Sequence, residues 1–249
     1  MKNFFVAIFI FSFLPVAAQS MDPQAQAYYK AGNENFKAND LLKAISYYDS
    51  ALITSQDYKI HFQKGICLRK LERNDEAISS FNESIKSNQK FDLAYNALGG
   101  TYFALNNMNE AISNFTKVLE YSSNQGLIDK VKEYLARAYN KQANEFINDN
   151  HVDTAVVLLN NGLEYFKLDL VYLSLARAYS KVENWDAVIS NSELALKVKS
   201  NITPGGPNYY LGMAYRVKGE NDKARQFLEV AVTDNDYQKL AEAELQKIK

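Results

Sequence analysis

The side chains with the most to offer a ligand in this chain are cations, amides and aromatic rings set at fixed distances from a recurring small residue. That small residue is Gly32, Gly65, Gly99, Ala143, Ala176 and Gly212. Positions six and three before each, and one, four and five after, define thirty side chains, of which eight are Lys or Arg and none is Asp or Glu. The chain holds 29 acids in 249 residues, so about three would fall there by chance. The binding candidates are Tyr29, Asn33, Phe36 and Lys37, then Phe62, Arg69 and Lys70, then Asn96 and Phe103. Further along they are Arg137, Asn140 and Asn144, then Arg177 and Lys181, then Tyr209 and Arg216. Arginine can grip a carboxylate through two parallel hydrogen bonds, and asparagine offers a peptide backbone both a donor and an acceptor. This chemistry suits an acidic, extended peptide. Stacking of a glycan or peptidoglycan strand on the aromatic rings is the alternative.

Constellations for catalysis are missing from the sequence. His61 and His151 are the only histidines, ninety residues apart, which supports neither a zinc site nor a histidine-based triad. There is no Gly-rich phosphate loop after a strand and no Gly-x-Ser-x-Gly elbow. No carboxylate pair stands out among the acids. The expectation is a protein that is not an enzyme and needs no cofactor or metal. Net charge is −1, so no global field draws it to nucleic acid or anionic lipid.

The elements that must hold these side chains follow from the spacing. Twelve residues after each small residue comes a second small apolar one: Ala44, Ala77, Ala111, Ala155, Val188 and Ala224. Successive units are offset by 33, 34, 44, 33 and 36 residues, a period that marks stacked helix–turn–helix units. Large apolar residues at three past the first site (Leu68, Tyr102, Phe146, Tyr179, Tyr215) and four past the second (Tyr48, Phe81, Phe115, Leu159, Leu228) share helical faces. Two amphipathic helices per unit are therefore expected.

The clearest copy runs Ala94-Tyr95-Asn96-Ala97-Leu98-Gly99 to Tyr102, then Glu110-Ala111-Ile112 and Phe115. It resembles the tetratricopeptide repeat family, and the resemblance extends over roughly residues 22–249. It implies an all-α, right-handed solenoid of about six helix–turn–helix repeats with a C-terminal capping helix. It also implies that the first helix of each repeat lines a concave surface, which places the thirty positions there. The family's known role implies protein-interaction scaffolding or assembly work. One branch of the family clamps the C-terminal carboxylate of heat-shock chaperones with lysines, asparagines and an arginine. Here Asn33 fits that arrangement, but Tyr29 stands where a Lys is needed and the stretch from Leu93 to Ala104 has no cation. The clamp is not reproduced.

The expected organisation is three repeats over 25–125, a helical extension or seam over 126–135, three more over 136–236, and a capping helix over 237–249. A single long helix is expected from Leu127 to Asn148, and Asn201 to Pro207 reads as a loop by its Pro and Gly content. Ahead of the repeats, Lys2, the apolar run Phe4–Leu14 and the small residues up to Ala18 read as a secretory signal peptide over 1–18. The run is too short for a comfortable membrane span. Export to the periplasm or outside the cell follows, with envelope assembly as the setting. The lone Cys67 sits two residues past Gly65, the place of a core thiol.

Overall fold

A computed structural model describes residues 21–198 and 202–248. The expected signal peptide lies outside the described residues. Thirteen helices are found there in antiparallel pairs: α1 (Pro23–Lys37) with α2 (Leu41–Leu52), α3 (Tyr58–Lys70) with α4 (Asn74–Ser87), and α5 (Asp92–Ala104) with α6 (Met108–Tyr121). They continue as α7 (Gln125–Asn148) with α8 (Val152–Tyr165), α9 (Asp169–Lys181) with α10 (Trp185–Val198), and α11 (Gly205–Val217) with α12 (Asn221–Val232), closed by α13 (Gln238–Leu245). Each helix packs on its partner and on the next pair, an all-α helical repeat fold.

The pairing rests on the small residues. Gly32, Gly65 and Gly99 face the rings of Tyr48, Phe81 and Phe115 so closely that a Cβ would sit within 2.6 Å of the ring carbons. Those rings are buried, and each contributes about 1.5–3 kcal/mol through loss of apolar surface to water. The sixteen-residue offset recurs as Ala143 with Leu159, both fully buried in one cluster.

Every turn inside a pair is built alike. Asn39, Glu72, Asn106, Asn150, Glu183 and Gly219 all have positive φ, between 57° and 80°. Each stands seven residues past its repeat's small residue. Its N–H donates to the carbonyl three residues back, and the next N–H donates five back, as from Asp40 to Asn35 and from Glu220 to Tyr215. That double bond pattern ends a helix through a left-handed residue. Gly and Asn adopt the conformation readily, whereas Glu adopts it only at a cost in strain. Glu72→Gly and Glu183→Gly are therefore expected to stabilise the protein by about 0.5–1 kcal/mol each, read as raised urea midpoints. Unchanged or lowered midpoints would contradict this account of the turns.

The long helix α7 begins at Gln125, where Asn124 accepts from the Leu127 N–H. Its 24 residues span about 36 Å. Its first turns are not free: Val131 and Leu135 are fully buried against Ala111 and Phe115. Of the loop expected at 201–207, residues 202–204 are non-helical, but its end is corrected by the structure, since α11 starts at Gly205 and takes in Gly206 and Pro207. Pro207 is its third residue, where a helix has no use for the N–H. The two glycines serve close approach, since a Cβ at Gly205 would fall 2.2 Å from Asp234 and one at Gly206 2.9 Å from the Tyr237 ring. The cap α13 buries Ala241 and, just beyond it, Ile248, while Leu240 stays outside.

Candidate functional site

The sixteen candidates lie on the first helices of the pairs, α1, α3, α5, α7, α9 and α11. Contacts join α1 to α3, α3 to α5, α7 to α9 and α9 to α11. The C-terminal end of α5 meets α7 where the Phe103 and Tyr134 rings lie 6.0 Å apart and Lys141 sits over Phe103. The first helices thus follow one another from α1 to α11 as one strip. Lys37, Lys70 and Lys181 are exposed, Asn140 is 5% exposed, and the other twelve are half-buried.

Several candidates already have structural partners. Tyr48 donates its hydroxyl to Asn33 Oδ1 at 2.8 Å, and the Tyr29 ring packs beside it. Phe62 packs edge-on to Phe91 and also against Phe81. Lys70 lies 4.7 Å over the Phe36 ring. Tyr209 packs against Tyr210 and Tyr237. Among the described residues no side-chain hydrogen bond ties Asn96.

Charge is less one-sided than the thirty positions suggest. Glu133, one turn back on α7, holds Arg137 at 2.7 Å. Glu244 on α13, only 8% exposed in its side chain, holds Arg216 at 2.6 Å and also Lys247. The first partner sits one turn before Arg137 on its own helix and the second arrives from the cap. Spacing within one repeat points to neither.

Arg69 and Arg177 differ, having no carboxylate within ion-pair reach among the described residues. Arg69 lies beside Gly100, where a Cβ would be 3.5 Å from its guanidinium. Arg177 reaches across to α7, donating from Nη1 to Asn144 Oδ1 at 3.2 Å and from Nη2 to Asn148 Oδ1 at 2.6 Å. Asn144 in turn donates from Nδ2 to Ser174 Oγ and to the Asn140 carbonyl. The buried Asn140 Oδ1 has no partner. Beyond α9, burial pushes the phenols of Tyr210 and Tyr237 above their ordinary range, an effect the nearby Arg177 charge opposes. Both remain neutral hydroxyls at physiological pH. The repeat spacing does not point to Ser174 or Tyr210, which sit one position beside it, nor to Tyr237, which arrives from the start of α13.

Burial pushes the Cys67 thiol up to about 11, so it behaves as core rather than nucleophile. Burial also lowers His61, whose ring contacts Gln56. No three His, Cys, Asp or Glu among the described residues form a metal-holding group, and no described helix is long and apolar enough to cross a membrane.

Comparison with known proteins agrees with this geometry. The tetratricopeptide repeat family model matches residues 58–91 and 93–125. Heat shock protein STI1 of Saccharomyces cerevisiae is 31% identical over 102 residues, which are 40% of this chain and 17% of that protein. Among solved structures, PilF of Pseudomonas aeruginosa superposes with a TM-score of 0.52 at 14% identity, covering 93% of this chain and all of that one. YrrB, described as a tetratricopeptide repeat protein with an unusual peptide-binding site, also gives 0.52, at 16% identity over 89% of this chain and 99% of that one. Residues 58–91 and 93–125 thus match the tetratricopeptide repeat model, and the other described helix pairs continue the same all-α helical repeat fold.

Proposed function

We propose that this protein is a non-enzymatic interaction module whose first-helix strip receives an extended, acidic segment of a partner protein. The observation that carries the reading is the pair of arginines, Arg69 and Arg177, half-buried on that strip without a carboxylate partner among the described residues. A guanidinium in such a place gains from an incoming carboxylate more than a fully solvated cation does. The half-buried amide of Asn96 and the rings of Phe36, Phe62 and Phe103 add backbone-directed polar groups and apolar contact. The signal-peptide pattern at 1–18 supports export, and the work would be scaffolding or assembly in the cell envelope. If so, the exported form starts at Gln19, which N-terminal sequencing reads directly.

Binding should be sensitive to salt, since about 1 M salt shortens the screening length to roughly 3 Å. Capture from envelope extract, with bound proteins identified by mass spectrometry, is expected to return an acidic protein at low salt and lose it at high salt. Capture unaffected by salt, or released by glycans and not by acidic peptides, would overturn the reading in favour of a sugar ligand.

A further inference from the structure

We propose that Arg177, held by Asn144 and Asn148, is the carboxylate-anchoring subsite of this protein, and that its ligand is an acidic side chain of a bound peptide. The inference rests on the peptide-binding reading above and narrows it to one point. Three observations converge. First, Arg177 is half-buried and has no carboxylate within ion-pair reach among the described residues, whereas Arg137 and Arg216 on the same strip are neutralised by Glu133 and Glu244. Taking a cation out of water without a partner costs free energy that a carboxylate would return.

Second, the group is aimed before any ligand arrives. Two of its donors are committed to the amide oxygens of Asn144 and Asn148, which orient it without neutralising it. Asn144 is fixed in its turn, its Nδ2 donating to both Ser174 Oγ and the Asn140 carbonyl, so its oxygen is the end left for Arg177. A guanidinium has five N–H donors in a rigid fork. The donors beyond those two remain for a carboxylate, and little side-chain freedom is left to lose on binding.

Third, the same stretch of α7 keeps polar capacity that folding does not use, since the buried Asn140 Oδ1 has no donor. Arg69 lacks such a cradle: it lies beside Gly100, and no side-chain amide among the described residues holds it. The charge at Arg177 is built into the fold in a way the charge at Arg69 is not.

The test titrates the full chain with a fluorescent hexaglutamate peptide, with hexaglutamine as the uncharged probe. Arg177→Gln is expected to weaken hexaglutamate binding roughly tenfold or more. Arg225→Gln, which removes an equal charge from an exposed site on α12, should weaken it less than about twofold. Asn148→Ala, which keeps the charge but removes one orienting acceptor, is expected to cost roughly two- to fivefold. Hexaglutamine should respond to none of the three. If R177Q fails to fold, N148A against R225Q decides alone. Equal losses for R177Q and R225Q, or no loss in N148A, would overturn the anchoring role and leave a diffuse basic strip. Failure of the unmodified chain to bind hexaglutamate would instead overturn the acidic-peptide reading itself.

Discussion

Gly65→Leu is expected to lower the unfolding free energy by about 3 kcal/mol or more, seen as a large drop in the urea midpoint. The added side chain must enter space already held by Phe81, whose ring carbons lie 2.6 and 2.7 Å from where the Cβ would stand. The ring is fully buried and enclosed by the core of the first repeats, so it has no empty rotamer to move into. Gly65→Ala is subtler, because a helix interior gains about 1 kcal/mol from that exchange. Displacing the ring costs about 1–3 kcal/mol, so a net loss is expected. The fourth repeat shows the remedy, pairing Ala143 with Leu159. Adding Phe81→Leu to Gly65→Ala should therefore recover part of the loss. A double variant no more stable than the sum of its parts would show that the glycine–ring pair is not what sets the helix spacing.

The second large effect concerns the cap. Arg216→Met is expected to cost about 2 kcal/mol and to open the 232–238 turn to protease. It leaves Glu244, 8% exposed, with only the more exposed Lys247. Truncating one partner of a buried pair costs more than the pair itself contributes, because the other charge stays buried. Partial exposure of Arg216 holds the figure below that of a fully enclosed pair. α13 covers Ala224, Leu228 and Ala231 of the last repeat, and a solenoid needs such a cover. Loss of stability with hexaglutamate affinity unchanged would assign Arg216 to the fold. Loss of affinity with the melting point unchanged would return it to the binding strip.

These two sites show where the sequence is legible. The period in Gly32, Gly65, Gly99, Ala143, Ala176 and Gly212 reports the helix pairs because close packing tolerates only small residues there. The left-handed residues seven positions on follow the same register, yet Glu72 and Glu183 hide it, since neither is a turn-forming type. The loop expected over 201–207 runs three residues too far, because Gly and Pro read as breakers at 205–207 where the helix has already begun. At Gly205 and Gly206 they allow Asp234 and Tyr237 to come close, and Pro207 falls in a first turn. For the binding strip, spacing selects positions but not partners. The neutralisation of Arg216 depends on a helix 28 residues away in sequence. The anchoring of Arg177 depends on amides 29 and 33 residues before it. Contacts of that span arise only from stacking of neighbouring repeats.

The central claim is that the first-helix strip receives the partner. Photo-crosslinking tests it most directly, with a photoreactive residue placed at Asn96, half-buried on α5, or at Val157, 59% exposed on α8. The account predicts partner adducts from position 96 at low salt, suppressed by hexaglutamate, and none from position 157. Adducts from 157 alone, or from 96 but indifferent to hexaglutamate, would contradict it.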